Sequence, residues 1–459
     1  MSREITEGQR SWLAGELDAW RDRGIVSADQ VEGVLGLYAS VEEFHERRQS
    51  KAFLTLLSLA SLLIGLAVLL LIGYNWEDMP AAAKVTAVFG AVVAAHGLGL
   101  TLRFKLGQRG ASEAAFFFGC LLYGMGIWLL AQIFQISGHY PDGFWWWALG
   151  VLPFALACES LVMHVLLVAL LATWVGTEIL GFASMGAWLF GRIRVVPNGA
   201  YSLLLFAAPC VWWAYRKGSA KAVGLYVPLI AWWVILQPFA WGLNANPVYF
   251  IGAVGGLLLL AAEAHRPGSA MAVPYRFYGA SLVAGVLVPL SYHDFNRMTV
   301  DPMQGLAALY QTIAVAVLAV VVLAEVVFAR RRRDETGSYL QAMIGVARRQ
   351  WVPCTLIAVM AGLGIYQGVF DEPLAPTIAA NLAMVALSLW LMQLGLKEDR
   401  GRPFAAGVMY FLLWAVLRYI DLFGAFGGML GGALMFFLCG ATLLGVAYFW
   451  RHRKAVPHG

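Results

Sequence analysis

Charge is what this chain has least of. Of its 459 residues, 13% are Asp, Glu, Lys or Arg and 60% are hydrophobic, against roughly 25% charged residues in ordinary soluble domains. A water-soluble fold of this length has no means of hiding so much apolar surface. Cysteine is scarce as well. Cys120, Cys158, Cys210, Cys354 and Cys439 all lie in apolar runs and none forms a C-x-x-C pair, which leaves no zinc or disulfide framework. The short signatures of enzymes are missing too: H-E-x-x-H, G-x-S-x-G, a Walker loop and a dinucleotide fingerprint are all absent. The eight histidines are scattered. No metal, no cofactor and no enzymatic reaction is expected. No cleavable secretory leader is expected either, because residues 1–50 are polar and the first apolar run, 53–73, is long enough to stay in a bilayer.

What the chain does have is a succession of apolar runs, and a membrane helix needs roughly 20 apolar residues. Spans are predicted near 53–73, 81–102, 113–136, 144–158, 161–180, 199–215, 222–242, 247–264, 275–291, 305–329, 352–370, 374–396, 404–422 and 424–450. The predicted fold is all-α: a polytopic bundle of about fourteen spans, twelve or thirteen if the short fourth run and the ambiguous 181–198 region count differently. It occupies 51–456 and follows an N-terminal segment, 1–50, of another kind. Basic residues test the map. With the N-terminus inside, only Lys84, Arg192, Arg194, Arg297 and Arg418 of the 32 lysines and arginines fall outside or within spans, and the other 27 fall on inner segments. Both termini are therefore expected in the cytoplasm of a bacterial inner membrane. The net charge of +5 then reflects topology and anionic lipid headgroups, and no nucleic-acid partner is expected.

Residues 1–50 read as a helical hairpin. Thr6 and Gln9, then Ser27 and Gln30, have capping-box spacing. Trp12, Leu13, Leu17 and Trp20 recur at helical intervals, as do Val31, Val34, Leu35 and Tyr38, and Gly24 is placed to end the first helix. The charged outer face is solvated or meets a protein partner.

Polar residues inside apolar runs are the candidate working groups. The stretch "AQIFQISGHYPDGFWWWALG", 131–150, gathers Gln132, Gln135, His139 and Asp142 between two spans. On a helix reaching Ile136, Trp128, Gln132, Gln135 and His139 share one stripe. Pro141 stops the helix, and Trp145, Trp146 and Trp147 are placed at the headgroup level. Glu178, near the outer end of span five, is expected to reach the same pocket. Glu263 and Glu325 fall near inner ends, where their carboxylates are expected to snorkel to water. Arg418 and Asp421, three apart on one helix, form a candidate intramembrane ion pair. The arginines of "ARRRRDETGSYLQAMIGVARRQ" anchor helix ends or hold an anionic lipid.

These residues carry a family resemblance. The hairpin with "GIVS", the span ending in "GYNWEDMP" and the run "AQIFQISGHYPDGFWWWALGVLP" resemble the bacterial predicted membrane proteins of "domain of unknown function 2157" over residues 10–160. The matching positions are Gly24, Asn75, Trp76, Pro80, Gln132, Gly138, Pro141 and Asp142. Ala131 and Phe134 depart from the glycine and tyrosine of the pattern. "VLRYIDLFGAFGGMLGGALMFFLCG" is similar to the tail of longer members, with Arg418 and Asp421 matching. The resemblance implies a bacterial inner-membrane protein with no assigned reaction. Two functions fit the residues. One is a transporter or flippase-like protein with a polar cavity opening outward near spans 3–5, taking a small polar or lipid-linked ligand. The other is a membrane scaffold or sensor that uses the hairpin as its interaction surface.

Overall fold

The computed structural model describes residues 7–36, 80–136, 138–181, 199–243, 246–266, 268–299, 305–332, 339–370, 372–398 and 400–423, with isolated helical residues between 56 and 64 and between 433 and 444. Sixteen α-helices run through them, and among the described residues there is no strand. The chain is a helical membrane bundle. Nine of the helices among the described residues are long and apolar enough to cross a membrane. Twelve of the fourteen predicted spans coincide with a helix. The runs at 53–73 and 424–450, and the ambiguous 182–198, lie outside the described residues apart from the isolated positions above. Two of the twelve helices, Asp142–Cys158 with 17 residues and Leu203–Arg216 with 14, fall short of the usual crossing length.

The chain divides into two compact units, Met1–Met163 and His164–Gly459. In the first unit, α1 (Glu7–Asp22) and α2 (Ala28–Leu35) form the terminal pair. Ser27 and Gln30 make the predicted capping box: the Gln30 amide donates to Ser27 Oγ and the Ser27 amide to Gln30 Oε1. Gly24, at φ +72°, supplies the left-handed turn. Leu17 and Val31 are buried, but Trp12 is 65% exposed and Trp20 37%. With eight residues against sixteen, α2 covers about half of α1, so the apolar stripe of α1 outruns its partner. Thr6 and Tyr38 lie outside the described residues.

α3 (Ala81–Phe104) and α4 (Arg109–Ile133) pack side by side, and α5 (Asp142–Cys158) packs on α4. Ser112 donates to the Gly99 carbonyl, and the rings of Phe116 and His96 cover Gly99 and Gly119. Small residues bring these helices together without a hydrophobic driving force, which lipid surroundings do not supply.

The second unit runs α6 (Leu161–Leu180, whose first turn crosses the boundary), α7 (Leu203–Arg216), α8 (Ala220–Ala240), α9 (Pro247–Ala261, continued by a 3-10 turn Ala262–Ala264), α10 (Ala272–Leu290), α11 (His293–Thr299), α12 (Gly305–Arg331), α13 (Tyr339–Arg349), α14 (Trp351–Val369), α15 (Leu374–Lys397) and α16 (Gly401–Phe423). At its centre α9 touches α8, α10, α12 and α14. A glycine set permits this. A Cβ on Gly279 of α10 would stand 2.8 Å from the Gly255 carbonyl oxygen of α9. Gly252 and Gly256 face Met360 and Ile357 of α14 equally closely. α15 and α16 repeat the device at Gly395 and Gly407.

Successive long helices of this unit alternate in direction, so their ends collect at two poles. One pole holds Arg216, Lys217, Glu263, Arg276, Arg330, Gln350, Glu398 and Arg402. The other holds Asn246, Ser291, Gln367, Thr377 and Arg418. Gly279→Ala should lower unfolding stability in detergent by about 1–3 kcal/mol, the usual cost of overpacking. Gly285→Ala on the same helix, where nothing lies within 4 Å of the added methyl, should be neutral or slightly stabilising. Equal effects of the two would mean that α9 and α10 do not meet at Gly255.

Candidate functional site

The stretch 131–150 joins α4 to α5. α4 ends at Ile133, earlier than the stripe required. The Ile136 amide donates back to the Ala131 carbonyl, and Gln135 adopts φ +49°, the left-handed closure of a helix C-terminus. Gln135 and His139 are therefore off the helix. Gln132, Gln135, His139 and Asp142 are all exposed, and Pro141 is buried at the start of α5. Of these, His139 and Asp142 are brought together, Nδ1 to Oδ1 at 3.1 Å. One of the three tryptophans bridges two helices. Trp147 donates its indole N–H to the Cys120 carbonyl at 2.8 Å. Its ring lies where a side chain on Gly124 would be. Trp128 packs on Tyr140 and Phe144. The stretch is an aromatic clasp between α4 and α5.

Glu178, 3% exposed on α6, belongs to the second unit. Arg418 is buried on α16. It donates to the Ser291 carbonyl at 2.8 Å and lies over the Tyr292 ring at 4.2 Å. The Asp421 side chain lies outside the described residues, as do Asn75 and Trp76. Pro80 stands just before α3.

A polar concavity of the second unit lies at its basic pole. Glu263, at the end of α9, accepts from Arg276 of α10 at 3.4 Å and from Arg330 of α12. Arg276 also donates to Glu398, beyond α15, at 2.6 Å. These four side chains are 13–17% exposed. They form an alternating chain, acid–base–acid–base, that ties four helix ends. A second chain runs alongside: Tyr215 Oη lies 2.9 Å from His265 Nε2 and 2.7 Å from Tyr275 Oη. The four members of the ionic chain line a cavity of about 630 Å³ together with His265, Arg348, Arg349, Gln350 and Lys397, a size typical of ligand sites. Five cationic side chains face two carboxylates there, an excess of three positive charges. Gln350 is 5% exposed, and its Oε1 has no hydrogen-bond partner.

Residues 18–164 match the family of predicted membrane proteins DUF2157. The match bears out the resemblance read from the hairpin and from the 131–150 stretch. It covers the first unit almost entirely and ends at the unit boundary, so the charged cavity lies beyond it. No curated protein and no solved structure matches the chain.

The sequence placed Glu263 near an inner helix end and had it snorkel alone. Its partners, Arg276 and Arg330, stand 13 and 67 positions later in the chain, beyond any local pattern. The available signal was coarser: each charge closes an apolar run on the same side of the basic-residue map. Removing one member of a desolvated pair strands its partner at about 3–5 kcal/mol. Glu263→Gln and Arg330→Gln should each destabilise the protein in detergent, and the double variant should lose less than their sum. Strict additivity would mean that the two side chains do not share a bond.

Proposed function

We propose that the second unit binds a phosphate-bearing ligand at its basic pole, and that this pole faces the cytoplasm of a bacterial inner membrane. The supporting observation is the surplus of positive charge in the cavity. Glu263 and Glu398 are engaged by Arg276 and Arg330, and no described carboxylate pairs with Arg348, Arg349 or Lys397. Arginine forks match phosphate oxygens bidentately. The Gln350 oxygen is an acceptor, which suits a ligand that also carries a hydroxyl. The cytoplasmic side follows from the basic-residue asymmetry.

The activity this site serves best is a transporter or flippase-like one, in which an anionic or lipid-linked substrate is captured at the membrane surface before passage. The scaffold or sensor reading draws its support from the N-terminal hairpin, where Trp12 and Ile25 are each 65% exposed. The two functions diverge in reconstituted vesicles. A flippase-like protein speeds the loss of dithionite-accessible asymmetry of a labelled anionic phospholipid, and a rate equal to that of protein-free vesicles rejects it.

For the binding itself the probe is glycerol 3-phosphate, with glycerol as control at constant ionic strength. A saturable rise in unfolding stability is expected, about 2.7 kcal/mol at a hundredfold excess over Kd. Arg348→Gln with Arg349→Gln should weaken it by tenfold or more. No saturable response in the unaltered protein would overturn the site.

A further inference from the structure

Beside the ionic cavity, and sharing Arg276 and Leu394 with it, lies a second concavity of about 650 Å³. Its character is opposite. The floor is Ala280 and Leu391, both under 5% exposed. The rim is Phe277, 62% exposed, and Met409, 57% exposed. Arg400 and Arg402 stand at one end, where α16 begins. From Arg402 to Tyr410 the groove follows α16 for eight residues, about 12 Å at the helical rise. It thus runs from the basic pole toward the apolar middle of the bundle. Cationic side chains at headgroup level and an apolar slot descending from them are the two halves of an amphiphile's footprint.

We propose that this groove seats an acyl chain of an anionic glycerophospholipid, with its phosphate held at Arg400 and Arg402. The proposal rests on the function above in taking the basic pole as the cytoplasmic headgroup level. It adds the ligand's hydrophobic half and a second set of residues. Charge complementarity chooses the occupant. A zwitterionic lipid satisfies the slot, but its ammonium group offsets the phosphate charge that the arginines attract, whereas a soluble phosphate leaves Phe277 and Met409 in contact with nothing it carries. Arg400 is held toward the groove mouth by donating to the Gly268 carbonyl. Arg276 is fixed by its two carboxylates and forms the wall between the lipid's slot and the polar cavity. A headgroup hydroxyl can therefore reach past it without the chain having to leave the groove.

The test is native mass spectrometry of the delipidated full-length protein, titrated with phosphatidylglycerol and with phosphatidylcholine of the same chains. Phosphatidylglycerol should bind roughly thirtyfold tighter, the scale of two surface arginines. Arg400→Gln with Arg402→Gln should bring the two lipids within about twofold of each other. Ala406→Trp fills the slot and should weaken phosphatidylglycerol about tenfold or more while leaving the glycerol 3-phosphate response intact. If Ala406→Trp does not elute as a folded species, Phe277→Asp decides, since that position is exposed. Equal binding of the two lipids by the unaltered protein overturns the proposal. So does unweakened lipid binding by a folded slot variant. A lost glycerol 3-phosphate response alongside a retained lipid preference rejects the polar cavity's function and supports the groove.

Discussion

Glu263 is the carboxylate around which the basic pole is arranged. An ionised carboxylate among packed helix ends needs its lone pairs filled, because water reaches it only in part. Here two guanidinium groups from different helices fill them, and one of those arginines holds the next acid. The arrangement fixes the ends of α9, α10, α12 and the turn after α15 relative to one another. It also limits what remains for a ligand. Arginines already engaged by acids define walls, while Arg348, Arg349 and Lys397 supply the field. Such a chain of bonds sets geometry more reliably than it adds stability, since desolvation cancels much of the Coulomb gain.

The glycines make that pole reachable. Helix association in a lipid-like environment depends on close approach rather than on expulsion of water. Gly255 and Gly279 let α9 and α10 meet backbone to backbone. This brings Glu263 and Arg276, thirteen residues apart across a short connection, within reach of one another. Bulkier residues there would hold the helices apart by more than a side chain's adjustment. The same logic sets the clasp of the first unit. Trp147 reaches the Cys120 carbonyl only because Gly124 leaves its ring a place to lie.

Much of the fold was legible because it is local. The apolar runs gave helices at twelve of the fourteen expected places. The Ser27–Gln30 cap and the left-handed Gly24 also follow from neighbours in sequence. The end of α4 was missed for a local reason as well. Helical spacing was extended through Gln135, but the backbone closes there in a left-handed turn that asparagine or glycine adopts more readily than glutamine. That closure takes Gln135 and His139 off the expected stripe, while Gln132 stays on α4. The ionic cavity was illegible for another reason. Its charges come from helix ends far apart in the chain, and only the alternation of helix direction assembles them. Positive-inside counting registered the arginines but carried no information about which acids they would meet.

The two poles of the second unit solve polarity in different ways. At the basic pole charge is met by charge. At the other, neutral groups do most of the work. Asn381 donates to the Ser291 carbonyl and accepts from the Trp414 indole, while Asn296 donates to Leu290, Tyr292 and Thr377. Arg418 enters this network by donating to the same Ser291 carbonyl and laying a face on Tyr292. A charge-assisted hydrogen bond contributes about 1.5–3 kcal/mol, and a desolvated cation–π contact about 2 kcal/mol. The planar guanidinium makes both at once, donating from its edge while its face lies on the ring, a geometry that a lysine ammonium does not reproduce. Amide networks of this kind lock helix ends without holding a mobile ion. The basic pole keeps an open cavity whose cationic side chains outnumber its carboxylates.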